Sequence, residues 1–149
     1  MTKKGIGLIS AYALVMVALF TATFTGEWNP SNYSYTLNEN TLTIEQGLWN
    51  KEEMEVEREG NINNILLFQL AVSEERQQWS VDLGVTAVLL PLLLFIAAPA
   101  QRPFKKYLAF KWYAAVVLAI LVVYTAWSVP AHVSYVDDIE RYVRLLTSS

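Results

Sequence analysis

Leu83-Gly-Val-Thr-Ala-Val-Leu-Leu-Pro-Leu-Leu-Leu-Phe-Ile-Ala-Ala98 decides the fold. The run holds 16 residues without an ionisable side chain, and reaches 22 when Trp79 and Ala100 are taken as its ends, with Asp82 near the outer surface. A helix that crosses a bilayer needs about 20 residues at about 1.5 Å each. Two further runs meet that requirement, Ile6 to Phe24 with 19 residues and Trp112 to Val129 with 18. Three spans are the expectation. The first is expected to stay on the chain as a span, because Thr21-Ala-Thr-Phe-Thr-Gly-Glu is a poor small-x-small cleavage site and the run is long for a signal core.

Composition agrees. The 149 residues are 54% hydrophobic and only 17% charged, with a net charge of −3, one histidine and no cysteine. Disorder, a basic nucleic-acid binder and a disulfide scaffold are excluded as classes. One histidine and no cysteine also argue against a protein-ligated metal, haem or iron–sulfur centre, so neither cofactor nor metal is expected.

Charge placement sets the expected orientation. Lys3, Lys4, Arg102, Lys105, Lys106 and Lys111 occupy two segments that hold no acid, whereas all 14 acids lie in the remaining regions. The positive-inside rule then places the N-terminus and the 101–111 loop in the cytoplasm, and the C-terminus outside. Trp28, Trp79 and Trp127 fall at outer span ends, where indoles favour the headgroup layer. The expected organisation is a cytoplasmic stub and first span (1–24), an extracytoplasmic unit (25–80), the second span (81–100), a basic loop (101–111), the third span (112–129) and an extracytoplasmic amphipathic tail (130–149). The tail carries Ile139, Val143 and Leu146 on one face and is too charged to span, so it is expected on the outer surface.

No Asp, Glu, Lys, Arg or His lies inside a span, which argues against a self-contained pump, transporter or intramembrane protease. Pro91 in the second span reads as a kink packed against a neighbour. His132 reads as a lone interfacial histidine, and no catalytic triad, phosphate loop or pair of catalytic carboxylates can be argued. The chain is expected to be non-catalytic.

The segment between the first two spans alternates at Tyr33-Ser-Tyr-Thr-Leu, turns at Asn38-Glu-Asn and runs β-rich from Thr41 to Trp49. After a second turn at Asn50, Met54 and Val56 alternate with Glu53, Glu55, Glu57 and Glu59. This predicts a three-stranded antiparallel meander, followed by a helix over 61–78 with Ile62, Ile65, Leu66 and Leu70 on one side. The four glutamates, about 7 Å apart along one face, read as a solvated, edge-protecting surface that draws cations outward. Asn32-Tyr-Ser is a glycosylation sequon on the outer side, meaningful in a eukaryotic secretory protein. Gly47 is expected to allow a bulge, and Trp28 and Trp49 to act as structural anchors, with Trp49 folding down over the outer helix ends.

Trp28 followed nineteen positions later by Gly47-Leu48-Trp49, with Arg76 just before the second span, resembles the first extracellular region of the claudin and peripheral-myelin-protein superfamily. The order of basic N-terminus, span, sheet, helix, span and basic loop is similar over roughly residues 1–130. The family's paired cysteines would fall near Glu52 and Ile62, so here packing alone must hold the sheet. The family has four spans and this chain three. The resemblance implies a plasma-membrane interaction protein acting in cell–cell contact, a barrier or beside a channel. Its partners would be lipid, other membrane proteins laterally or in an apposed membrane, or a second copy. The competing expectation is a small accessory or structural subunit of a larger membrane protein complex, a prokaryotic one being among the options.

Overall fold

A computed structural model describes residues 2–148. Helix α1 spans Lys3–Phe20 and opens on Thr2, whose hydroxyl accepts from the Gly5 amide at 3.2 Å. A π-helical turn over Thr21–Thr25 ends it. Strands β1 (Tyr33–Leu37), β2 (Thr41–Gln46) and β3 (Glu52–Glu57) form one antiparallel sheet in that order. Helix α2 then runs without a break from Ile62 to Ala97, and α3 from Phe110 to Thr147. Three helices, those over 3–25, 62–97 and 110–147, are long and apolar enough to cross a membrane.

The sheet follows from its pleat. Pairing Tyr35 with Ile44 and Ile44 with Met54 puts Tyr33, Tyr35, Leu42, Ile44, Met54 and Val56 on one face. Ser34, Thr36, Thr43, Glu53 and Glu55 go to the other. Strand β2 stops at Gln46 rather than continuing to Trp49, because Gly47 turns the chain with φ +117°. A Cβ there would lie 3.0 Å from the Asn50 carbonyl oxygen, so the turn needs glycine.

Two corrections concern the helices. The segment over 62–78 and the second span are one helix of 36 residues, and the third span and tail are one of 38. At about 1.5 Å per residue these measure about 54 and 57 Å, against about 30 Å of bilayer hydrocarbon. The amphipathic tail therefore does not lie flat. It rises antiparallel to α2, and Ile139, Val143 and Leu146 pack with Ile65, Phe68, Ala71 and Val72 of α2 and the inner face of the sheet. Pro130 does not stop α3: one interior proline removes one ladder bond, and burial on both sides of it holds the helix. The buried side of α2 also differs from expectation. Ile65 is buried, but Ile62, Leu66 and Leu70 stand exposed, since Phe68, Ala71 and Val72 present the wider apolar face to the sheet.

Pro91 has a specific accommodation. Lacking an N–H, it cannot bond the Ala87 carbonyl four residues back. The Tyr12 hydroxyl of α1 donates to that same oxygen at 3.0 Å. Beside it the Tyr113 hydroxyl of α3 donates to the Leu92 carbonyl at 2.8 Å.

Ile139 is fully buried under the sheet. Ile139→Ala is expected to cost about 2–5 kcal/mol and to make the strand loops protease-sensitive in detergent. Resistance equal to the parent would show that the tail does not support the sheet.

Candidate functional site

Below the apolar core the facing surfaces of α2 and α3 become polar. Glu75, Gln78 and Asp82 recur at helical spacing on the face that carries Phe68 and Val72 higher up, and Tyr124, Ser128 and His132 recur every four residues on α3. Because the helices run antiparallel, His132 meets Glu75 while Ser128 and Tyr124 meet Asp82.

The contacts are dense. The imidazole lies between two carboxylates, with Nδ1 2.6 Å from Glu75 Oε1 and Nε2 against Asp82 Oδ2. Asp82 Oδ1 accepts from the Tyr124 hydroxyl, from Ser128 Oγ at 2.9 Å and from Gln78 Nε2 at 3.4 Å. Glu75 is fully buried, and Gln78, Asp82 and Ser128 are nearly so. Glu75 Oε2 is buried with no hydrogen-bond partner. Removing a carboxylate from water costs several kcal/mol unless a charged or hydrogen-bonding partner offsets it. His132 provides that partner to both acids at once.

Both ring nitrogens face carboxylate oxygens, so either an imidazolium donates twice, or a neutral ring donates once and accepts from a carboxylic acid. Both of these arrangements carry one net negative charge, and a further proton on Glu75 Oε2, which has no partner, brings it to zero. A groove of about 600 Å³ opens beside them between α2 and α3, walled by Trp28, Trp79, Leu89, Leu93 and Leu121, with Asp82, Ser128 and His132 at its polar end.

This cluster corrects the reading of His132 as a lone interfacial residue. The signal lay in the paired spacings of Glu75 with Asp82 and of Tyr124, Ser128 and His132, but which faces meet is decided by helix pairing. Among the described residues no group of His, Asp and Glu is arranged to hold a metal ion.

Of the residues singled out from the sequence, Trp28 walls this groove and the others lie away from it. Trp28 stacks edge-on against Trp79 at 5.1 Å, and its indole N–H donates to Asn32 Oδ1 at 2.8 Å. The Trp79 indole donates in turn to Thr23 at 2.9 Å, which ties the end of α1 to α2. Arg76 places its guanidinium 5.9 Å from the Tyr35 ring, joining α2 to the sheet. Trp49 does not fold down over the helices. It is 89% exposed at the tip of the β2–β3 loop beside exposed Leu48, because the Gly47 turn carries the chain away from the bundle. Asn32 is exposed with φ +60°, and Glu53, Glu55, Glu57 and Glu59 are all exposed, three of them on edge strand β3.

No family model matches the chain, and neither a curated protein nor a solved structure matches it significantly.

His132→Ala strands two buried carboxylates and is expected to lower stability by about 3–5 kcal/mol. Replacing Glu75, Asp82 and His132 together by leucine removes the buried charges but leaves the Tyr124, Ser128 and Gln78 donors unpaired, and is expected to restore part of it. Unfolding midpoints in detergent check both, and an unchanged midpoint for His132→Ala would remove the histidine from this role. Trp49→Ala is expected to leave the midpoint where it is.

Proposed function

We propose that this chain is a non-catalytic integral membrane protein that works by contact. Its extracytoplasmic unit, built from the sheet and the projecting ends of α2 and α3, meets other membrane proteins laterally or in an apposed membrane. The observation that carries this reading is an apolar stripe left uncovered on the projecting part of α2. Ile62, Leu66, Leu67 and Leu70 are 42 to 59% exposed there. Leu70 stands nine residues, about 13 Å, above Trp79, beyond the layer where lipid would shield it. Apolar surface of this kind outside lipid marks an interaction site.

The claudin-like order of span, sheet, helix and span supports a plasma-membrane role in cell–cell contact, a barrier or beside a channel. The exposed glutamates of β3 would enrich cations at that surface. The basic 101–111 loop supports a cytoplasmic placement for that end and for the N-terminus. A second reading, an accessory subunit of a larger membrane complex, is favoured by the spans themselves. Only 11 to 17% of each span's most apolar window is buried within the chain, which leaves most of the surface to lipid or to neighbouring helices.

Two experiments test this. A photo-crosslinking residue at Leu66 or Leu70 is expected to join a polypeptide in native membranes, while the same group at Val122 joins lipid. Lipid adducts alone from Leu66 and Leu70 would overturn the contact role. In this cysteine-free chain, Lys51→Cys is expected to react with an impermeant maleimide in intact cells and Lys105→Cys only after lysis. The reverse pattern would invert the orientation.

A further inference from the structure

We propose that the groove between α2 and α3 binds a long-chain amphiphile with an ammonium head, the head seated against Asp82 and the tail lying along Leu89, Leu93 and Leu121.

The charge inventory argues for a cation. With both carboxylates ionised, the single His132 imidazolium leaves the three groups with one net negative charge. Among the described residues neither carboxylate pairs with a lysine or arginine; His132 is the ion-pair partner of both. An uncompensated charge beside apolar walls is costly, and a positive head in the groove offsets it.

Hydrogen-bond capacity points the same way. Tyr124, Ser128 and Gln78 all direct donors at Asp82 Oδ1, and the imidazole Nε2 lies against Oδ2. What stays open at the groove is acceptor capacity on Asp82: each carboxylate oxygen has two lone pairs, and Oδ2 meets one ring nitrogen. The head must therefore donate. A carboxylate or phosphate head is repelled, and a neutral alcohol leaves the charge unmatched.

The walls supply the other half of the recognition. Trp28, Trp79 and Tyr124 line the groove near Asp82, and indole and phenol faces attract an ammonium group within about 6 Å of the ring centroid. Beyond the aromatic end the lining is mostly aliphatic, with Leu89, Leu90, Leu93 and Leu121 beside Val85 and Thr86, and a volume of about 600 Å³ accommodates a single alkyl chain.

The probes are dodecylammonium, dodecanol and dodecanoate, added at equal mole fraction to the full chain in maltoside micelles. Tryptophan fluorescence and the unfolding midpoint are followed together. Dodecylammonium is expected to saturate, to raise the midpoint and to bind at least about tenfold more tightly than the other two. Asp82→Asn is expected to weaken it about tenfold or more. Leu93→Trp, which fills the tail end without touching a carboxylate, is expected to abolish the saturable phase while the cluster stays intact. Equal responses to the three heads would overturn the proposal, as would tighter binding of dodecanol. So would undiminished dodecylammonium binding in Leu93→Trp, which decides the matter even if Asp82→Asn fails to fold.

Discussion

The antiparallel pairing of α2 and α3 is the contact on which the rest of the molecule depends. One continuous surface of each helix is buried against the other, and its chemistry changes along its length. Near the sheet it is apolar, with Ile65, Phe68 and Val72 facing Ile139, Val143 and Leu146. Lower down it is polar, with Glu75 and Asp82 bridged by His132. Toward the basic loop it is apolar again, with Leu83, Leu89 and Val117 buried. Fixing the register at the histidine bridge also sets which residues stand opposite one another at both ends.

That pairing explains how a three-stranded sheet without a disulfide persists. A small sheet needs a cover on one face. The projecting halves of α2 and α3 provide it, and Leu42, Ile44 and Val56 sit against them with almost no solvent contact. Arg76 stacked on Tyr35 and the Trp28–Trp79 contact tie the edges of this unit to the helices. Helix α1 is held more lightly: Met16 is its buried residue, and its links to α2 are polar, through Tyr12 and Thr23.

The surfaces left over divide by solvent. Exposed Leu14, Val17, Val122 and Val123 lie on the apolar helices, where lipid accounts for them. Ile62, Leu66 and Leu70 have no such account, nor does Trp49 at its loop tip. On this division the apolar surface left uncovered is a helix stripe beside the sheet, with the glutamate-rich strand at the sheet's edge.

What the amino acids determined alone is whatever depends on composition over a short window. Nineteen apolar residues in a row make a helix long enough to cross lipid wherever they stand, and alternation at Tyr33–Leu37 and Met54–Val56 makes strands because the pleat has a period of two. Gly47 was legible as a special backbone position, but as a bulge in a run reaching Trp49 and not as the turn that ends β2 at Gln46. The inner side of α2, the upright tail and the buried acid–histidine bridge were not. Ile62, Leu66 and Leu70 satisfy helical spacing as well as Ile65, Phe68 and Val72 do. Only the shape of the sheet against which the helix packs selects between them. Glu75, Asp82 and His132 lie up to 57 positions apart, so no local pattern joins them. Their juxtaposition exists because two helices longer than a bilayer is thick continue together beyond it and bury the faces they share.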